Sequence, residues 1–247
     1  MRIKAIACEV LARAVYLNAA LSPHVVDVEL VDKGLHDVSA TLRETLQQRI
    51  DATSAREYER IVLAYGLCNR SLDGLQAREV PIVAPRAHDC ITLYLGSRAR
   101  YNKEFTETPG TFYYSDEYLE RGGIRGNHAD GRIVSLGSVT PINETYDELV
   151  AKYGEDNAAY LLEVLGAWQK HYQRAAYIDT QLGKSGDYVA RAKADAAQRG
   201  WRFEVLPGDL DLIRRLLSGQ WDDEDFVTVH PGRRIVATFD ERIIAAE

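Results

Sequence analysis

ERIVLAYGLCNRSLDGLQAREVPIVAPRAHDC, residues 59–90, holds two short apolar runs, each followed a few residues later by a cysteine. Residues 61–64 and 81–84 are fully apolar and only four residues long, the pattern of strands buried in a parallel sheet. Working toward the N-terminus, 25–31 is β-branched and reads as a strand, 41–52 as an amphipathic helix, 3–7 as a strand and 9–20 as a helix. The segment KGLHD at 33–37 reads as a turn. On the other side, helical spacing runs from Asp89 to about Tyr101. Strand and helix alternating at this interval predict βαβ units in an α/β fold, a doubly wound Rossmann- or flavodoxin-like parallel sheet.

The rhythm changes after Tyr101. PGTFYYSDEYLERGG predicts a strand, a short helix and a glycine stop, and 122–141 reads as an irregular loop. A long helical stretch over 143–173, broken near Gly154, precedes a strand at 175–178, a helix at 187–199, a strand at 202–206 and a helix at 209–218. A last pair of strands follows Asp225. The expected organisation is two α/β lobes: 1–104 carrying the cysteine and histidine site, and 105–247 with a helical insertion. A cleft would lie between them.

A formal net charge of -7 makes the molecule repel phosphate backbones and anionic membranes, so neither nucleic acid nor membrane is expected as a partner. A local patch such as Arg98, Arg100 and Lys103 could still bind an anion. The apolar N-terminal run is broken by Lys4, Glu9 and Arg13, and no stretch approaches the roughly 20 apolar residues of a spanning helix. The expected location is cytoplasmic, where thiols stay reduced. With three cysteines, an odd count, a disulfide framework is not expected.

Cys8, Cys68 and Cys90 each follow a predicted strand. In the flavodoxin-like order, strands 1, 3 and 4 are neighbours, and ligands bind outside their carboxyl ends. Strands about 4.8 Å apart allow three such thiols to meet around one ion or cluster. His88 and Cys90, at i and i+2, point the same way in an extended loop. Three thiolates and one imidazole are a common zinc set, whereas three cysteines with an open position suit a 4Fe-4S cluster. The bland alternative is that each cysteine is a small buried hydrophobe.

Around this centre, Arg70 and Arg86 are candidate clamps for a substrate carboxylate or phosphate, against the alternative of structural ion pairs. Asp89 is a candidate to orient His88 or act as a base, or simply a helix N-cap. Tyr113, Tyr114, Asp179, Thr180 and His230 are candidates for the opposite wall of the cleft. His24, His36, His128 and His171, with no cysteine beside them in sequence, read as surface or helix residues. Phosphate-binding glycine motifs and the GxSxG elbow are absent.

The segment AYGLCNRSLDGLQAREVPIVAPRAHDCITLYLGSR resembles the domain-of-unknown-function family numbered sixteen thirty-eight. Further likeness lies in ACEVL, PGTFYYSDEYLE, YIDTQLG and the W-D-x-E-D-F stretch near the end, so it runs over nearly the whole chain. Members are often encoded near corrinoid methyltransferases, which implies one-carbon or methyl-transfer metabolism and a corrinoid protein or methyltransferase as partner. Separately, His88-Asp89-Cys90 is similar to the HxC half of the zinc motif of thiol methyltransferases. That likeness implies a zinc ion that lowers the pKa of a thiol so that it accepts a methyl group.

Together these readings predict a metal-thiolate protein acting on a small molecule, with zinc bound by Cys8, Cys68, Cys90 and His88. His88 and Asp89 would do the acid-base work of a metal-dependent transferase or lyase. The alternatives are an iron-sulfur enzyme on the same cysteines and a non-catalytic metal- or cofactor-binding accessory protein.

Overall fold

The apolar runs build a central sheet. In a computed structural model describing residues 1–121, 150–151, 154–155, 172–183 and 185–247, β1 is Arg2–Cys8, β2 Val25–Val31, β3 Arg60–Ala64 and β4 Ile82–Pro85. They pair in parallel in the order β2-β1-β3-β4. Ile3, Ile6, Ile61, Leu63, Ile82 and Val83 have no exposed surface, as expected where helices cover both faces of a strand. The fold is mixed α/β with a mostly parallel central sheet.

Helices α1 (Ala12–Leu21) and α2 (Ser39–Asp51) follow β1 and β2. Leu42, Leu46 and Ile50, four residues apart, give α2 its buried face. The stretch KGLHD is a 3-10 turn over Lys33–Asp37, started by Asp32, whose side chain accepts from the Gly34 N–H. A second 3-10 turn, Glu9–Leu11, joins β1 to α1.

The single helix expected over 89–101 is two. α3 (Cys90–Leu95) ends at Gly96, which takes the left-handed conformation (φ 75°) that glycine adopts without a Cβ penalty. α4 (Arg98–Glu107) restarts at Ser97, whose side chain accepts from the Arg100 N–H at 3.1 Å. Ser97→Ala should lower stability by about 1 kcal/mol, the usual worth of such a cap. An unchanged denaturant midpoint would show that the cap carries nothing here.

A second sheet holds β5 (Thr111–Ser115), β6 (Arg174–Asp179) and β7 (Arg202–Pro207), all parallel. Arg174, 4% exposed, pins it to α4 through Glu104 at 2.5 Å and reaches Glu204 of β7 at 3.1 Å. Short helix α5 (Asp116–Glu120) leaves β5 and docks on the first half. There Arg13 forks onto the Glu120 carboxylate, and Glu117 accepts from the Ala14 N–H at 3.0 Å. α6 (Ser185–Gln198) covers β6 and β7.

Beyond β7 the chain returns to the first sheet. α7 (Asp211–Leu217) packs on α1, β3 and β4, and β8 (Phe226–Val229) pairs antiparallel with β4. The strands after Asp225 are therefore three: β9 (Ile235–Ala237) and β10 (Ile244–Ala246) form a separate hairpin. No helix among the described residues is long and apolar enough to cross a membrane. The loop read at 122–141, most of the helical stretch at 143–173, His128 and His171 lie outside the described residues.

Candidate functional site

Three cysteines lie at one edge of the parallel sheet. Cys8 is the last residue of β1, Cys68 follows β3, and Cys90 opens α3 just after β4. Beyond the strand ends, the N–H groups of Leu67 and Cys68 donate to the carbonyls of Ala87 and His88 at 2.8 and 2.9 Å. These bonds continue the β3–β4 pairing outward and tie the Cys68 loop to the Cys90 loop.

Two features of the backbone hold that approach. Gly66 has no room for a side chain, because a Cβ there would lie 2.5 Å from the N and Cα of Asp89. Cys68, Asn69 and Arg70 all have positive φ (44°, 54° and 63°), a left-handed turn that costs non-glycine residues energy. Such strain gathers at functional sites because the surrounding structure must enforce it.

All three thiols are free. Burial pushes the pKa of Cys8 up to about 12 and those of Cys68 and Cys90 upward as well. Each of Cys68 and Cys90 is raised further by Asp89 and by the charge of neighbouring thiols.

Sequence reasoning missed two residues here. His36 reaches across from the turn after β2, and its Nε2 lies 3.4 Å from Cys8 Sγ. His36, read from sequence as a surface or helix residue, is thus a partly buried neighbour of Cys8 in space. Burial holds its pKa low, which favours the neutral imidazole. Tyr65, next to the end of β3, stacks on His36 with ring centres 6.0 Å apart. Its hydroxyl is buried and has no hydrogen-bond partner among the described residues. Burial raises the Tyr65 pKa, as do the charges of Cys8 and Cys68. A signal for both was position: each follows a strand neighbouring β1, on the same edge.

The other expected residues divide. Asp89 caps α3, accepting from the Ile91 N–H at 3.0 Å and, through its other oxygen, from the Tyr101 hydroxyl at 3.2 Å. Burial raises its pKa. His88 is exposed and stacks on Tyr101 at 5.5 Å, while its carbonyl receives the Cys68 N–H. Arg70 pairs with Asp73 at 2.5 Å. Arg86 donates to the carbonyls of Asp223, Arg242 and Ile244, clamping the C-terminal segment. Both guanidinium groups are thus engaged within the protein.

A cleft of about 390 Å³ opens beside Cys90. Asp89, Cys90 and Tyr94 form one side, Tyr101 and Phe105 of α4 another, and Tyr113 and Tyr114 of β5 the facing wall. Eight aromatic residues line it, and Asp89 is the one formally charged residue among the described lining. Asp179 and Thr180 are not part of that lining. The Asp179 carboxylate instead accepts from the Gln181 N–H at 2.9 Å, and Gly208 packs closely on Asp179 and Thr180. Among the described residues, no three His, Cys, Asp or Glu side chains stand close enough together to hold a metal ion as they are placed.

The fold and this edge define an α/β protein with a mostly parallel sheet, three cysteines at the strand ends and an aromatic cleft beside them. The chain belongs to the family described as a protein of unknown function, DUF1638, whose sequence profile matches residues 30–217. That range takes in His36, Tyr65, Cys68, His88 and Cys90, and leaves out Cys8. No curated protein and no solved structure matches the chain.

Proposed function

We propose that these three cysteines belong to a zinc centre and that the protein acts on a small molecule held in the adjoining cleft. The observation that carries this reading is the pair Cys8 Sγ and His36 Nε2, 3.4 Å apart beside the orphaned hydroxyl of Tyr65. In a tetrahedral site with Zn–S of about 2.3 Å and Zn–N of about 2.0–2.1 Å, the two donor atoms lie about 3.5 Å apart. A buried hydroxyl without a partner costs about 1–3 kcal/mol unless something in the site receives it. Cys68 and Cys90, at the ends of the neighbouring strands, would supply two further thiolates, with their side chains placed differently from those seen here. His88 is then left at the rim, and His36 takes the ligand role that sequence gave to His88.

The donor set fits the group. A cation reverses the upward pull of burial on the thiols, because ligating cysteines give up their protons. Zinc held by all four of these residues would have no open position, so Lewis acidity or an activated thiolate would reach a substrate only where one of the four ligands gives way. Of the chain's own residues, Asp89 fixes the start of α3 and with it Cys90, while Tyr101 and Tyr113 bound the space a substrate would occupy. The order β2-β1-β3-β4 supports a doubly wound arrangement, in which ligands bind at this edge. A reducing, cytoplasmic setting and a methyl-transfer role with a corrinoid partner belong to the same proposal.

Elemental analysis and a visible spectrum of anaerobically purified protein test it. About one zinc per chain and no visible absorption are expected. Cys68→Ala, Cys90→Ala and His36→Ala should each lose most of the metal, and His24→Ala should keep it. Equal metal in all four variants would place the ion elsewhere, and a coloured protein would replace zinc by an iron-sulfur cluster.

A further inference from the structure

We propose that the cleft beside Cys90 takes a small alkylated onium cation, an ammonium or sulfonium whose charge is covered by alkyl groups. The inference rests on the reading that this cleft is the ligand side of the thiol centre. Its volume, about 390 Å³, falls in the range of small-ligand pockets, about 300–1,000 Å³.

The lining selects by charge. Asp89 is the one formally charged side chain among the described lining residues, and no lysine or arginine is among them. An anion would meet a carboxylate with no basic side chain among the described lining residues to neutralise it. A strongly hydrated inorganic cation would have to exchange its water for ring carbons. An alkylated cation avoids both costs, since it sheds water easily and is attracted to the faces of aromatic rings.

Three of the cleft's tyrosine hydroxyls are already committed, which leaves the faces of those rings as the available surface. Tyr94 bonds the Val10 carbonyl, Tyr101 bonds Asp89, and Tyr114 bonds Asp195. On α4, Tyr101 and Phe105 lie one turn apart with nearly parallel rings, 6.2 Å between centres and 11° between planes. Phe105 is 65% exposed, so the ring surface runs from solvent into the cleft. Lys33 places its ammonium 4.8 Å over the Tyr118 ring without lining the cleft, so one of these rings already serves a cation.

Calorimetric titration of the purified full chain with choline and with 3,3-dimethylbutan-1-ol compares a cation with an uncharged molecule of nearly the same shape. Choline should bind about tenfold more tightly or better, the range that ring faces and a carboxylate supply together. Tyr101→Leu should weaken choline severalfold. Asp89→Asn should narrow the gap between the two ligands while the helix stays capped, because asparagine caps as well as aspartate. Equal binding of the pair overturns the proposal, as does saturable binding of none of tetramethylammonium, choline and trimethylsulfonium. Zinc content of the same samples separates the two readings. Cation bound without metal sinks the zinc centre alone, and metal without cation preference sinks this inference alone.

Discussion

Gly66→Ala should destabilise the fold by about 3 kcal/mol and, if the proposed zinc centre exists, lower its metal content. The added Cβ would stand 2.5 Å from the N and Cα of Asp89 and 2.7 Å from its carbonyl carbon, all backbone atoms that no rotamer change can move. Inserted atoms in a packed interior usually cost about 1–3 kcal/mol, and backbone obstruction belongs at the top of that range. In a chain of this size that loss lowers the melting temperature by roughly 6–12 °C. The Cys68 loop would be pushed off the Cys90 loop, breaking the bonds from Leu67 and Cys68 to Ala87 and His88. Gly74→Ala is the control: nothing lies within 4 Å of its Cβ position, so only its positive φ of 93° is penalised, by about 1 kcal/mol. Similar losses in both variants would show that close approach of the two loops does not matter.

The convergence of Cys8, Cys68 and Cys90 was legible because each sits within a few residues of a fully apolar run, and parallel strands bring such positions to one edge. What sequence could not show was which side chains cross between neighbouring strands. β1 and β2 pair with Cys8 opposite Val31, so the turn after Val31 is carried alongside Cys8 and delivers His36 to it. Sequence separation hides that contact, and the same holds for Tyr65. The roles of Arg70 and Arg86 were open for another reason: their partners are Asp73 in the next turn and carbonyls more than a hundred residues away. Gly96 inside a helical pattern marked the break between α3 and α4, but periodicity carried the reading across it. The antiparallel edge strand β8 depends wholly on a long-range pairing with β4 that no local pattern encodes. The aromatic wall was partly legible in Tyr113 and Tyr114, while Tyr101 read as the end of a helix and Phe105 was not singled out.

The pH dependence of stability should fall largely on Glu117, the buried carboxyl by which α5 docks on α1 and α3. Burial pushes its pKa up from 4.5 to about 7, against hydrogen bonds from Tyr94 and from the N–H groups of Ala14 and Arg13. Glu120 nearby pushes it further up, and the Arg13 guanidinium that might oppose this is forked onto Glu120. Proton counting agrees. The Tyr94 hydroxyl touches two acceptors, the Val10 carbonyl and Glu117 Oε2 at 2.8 Å, and has one hydrogen to give. If Val10 receives it, the contact with Glu117 is a hydrogen bond only when the carboxyl itself carries a proton. The folded state therefore holds this proton more tightly than the unfolded chain does. The resulting stability is fully present below pH 4.5, falls as pH rises, and is gone above about 7. A shift of this size corresponds to about 3 kcal/mol at most. Glu117→Gln mimics the protonated acid: its amide N–H can donate to Tyr94 and its oxygen can accept from Ala14. Denaturant unfolding across this range should find the variant close to wild type at the acid end. At the alkaline end it should be more stable by about 2–3 kcal/mol. Parallel stability curves for the two proteins would mean that Glu117 is ionised in the fold and that the junction between α5 and the first sheet is not proton-linked.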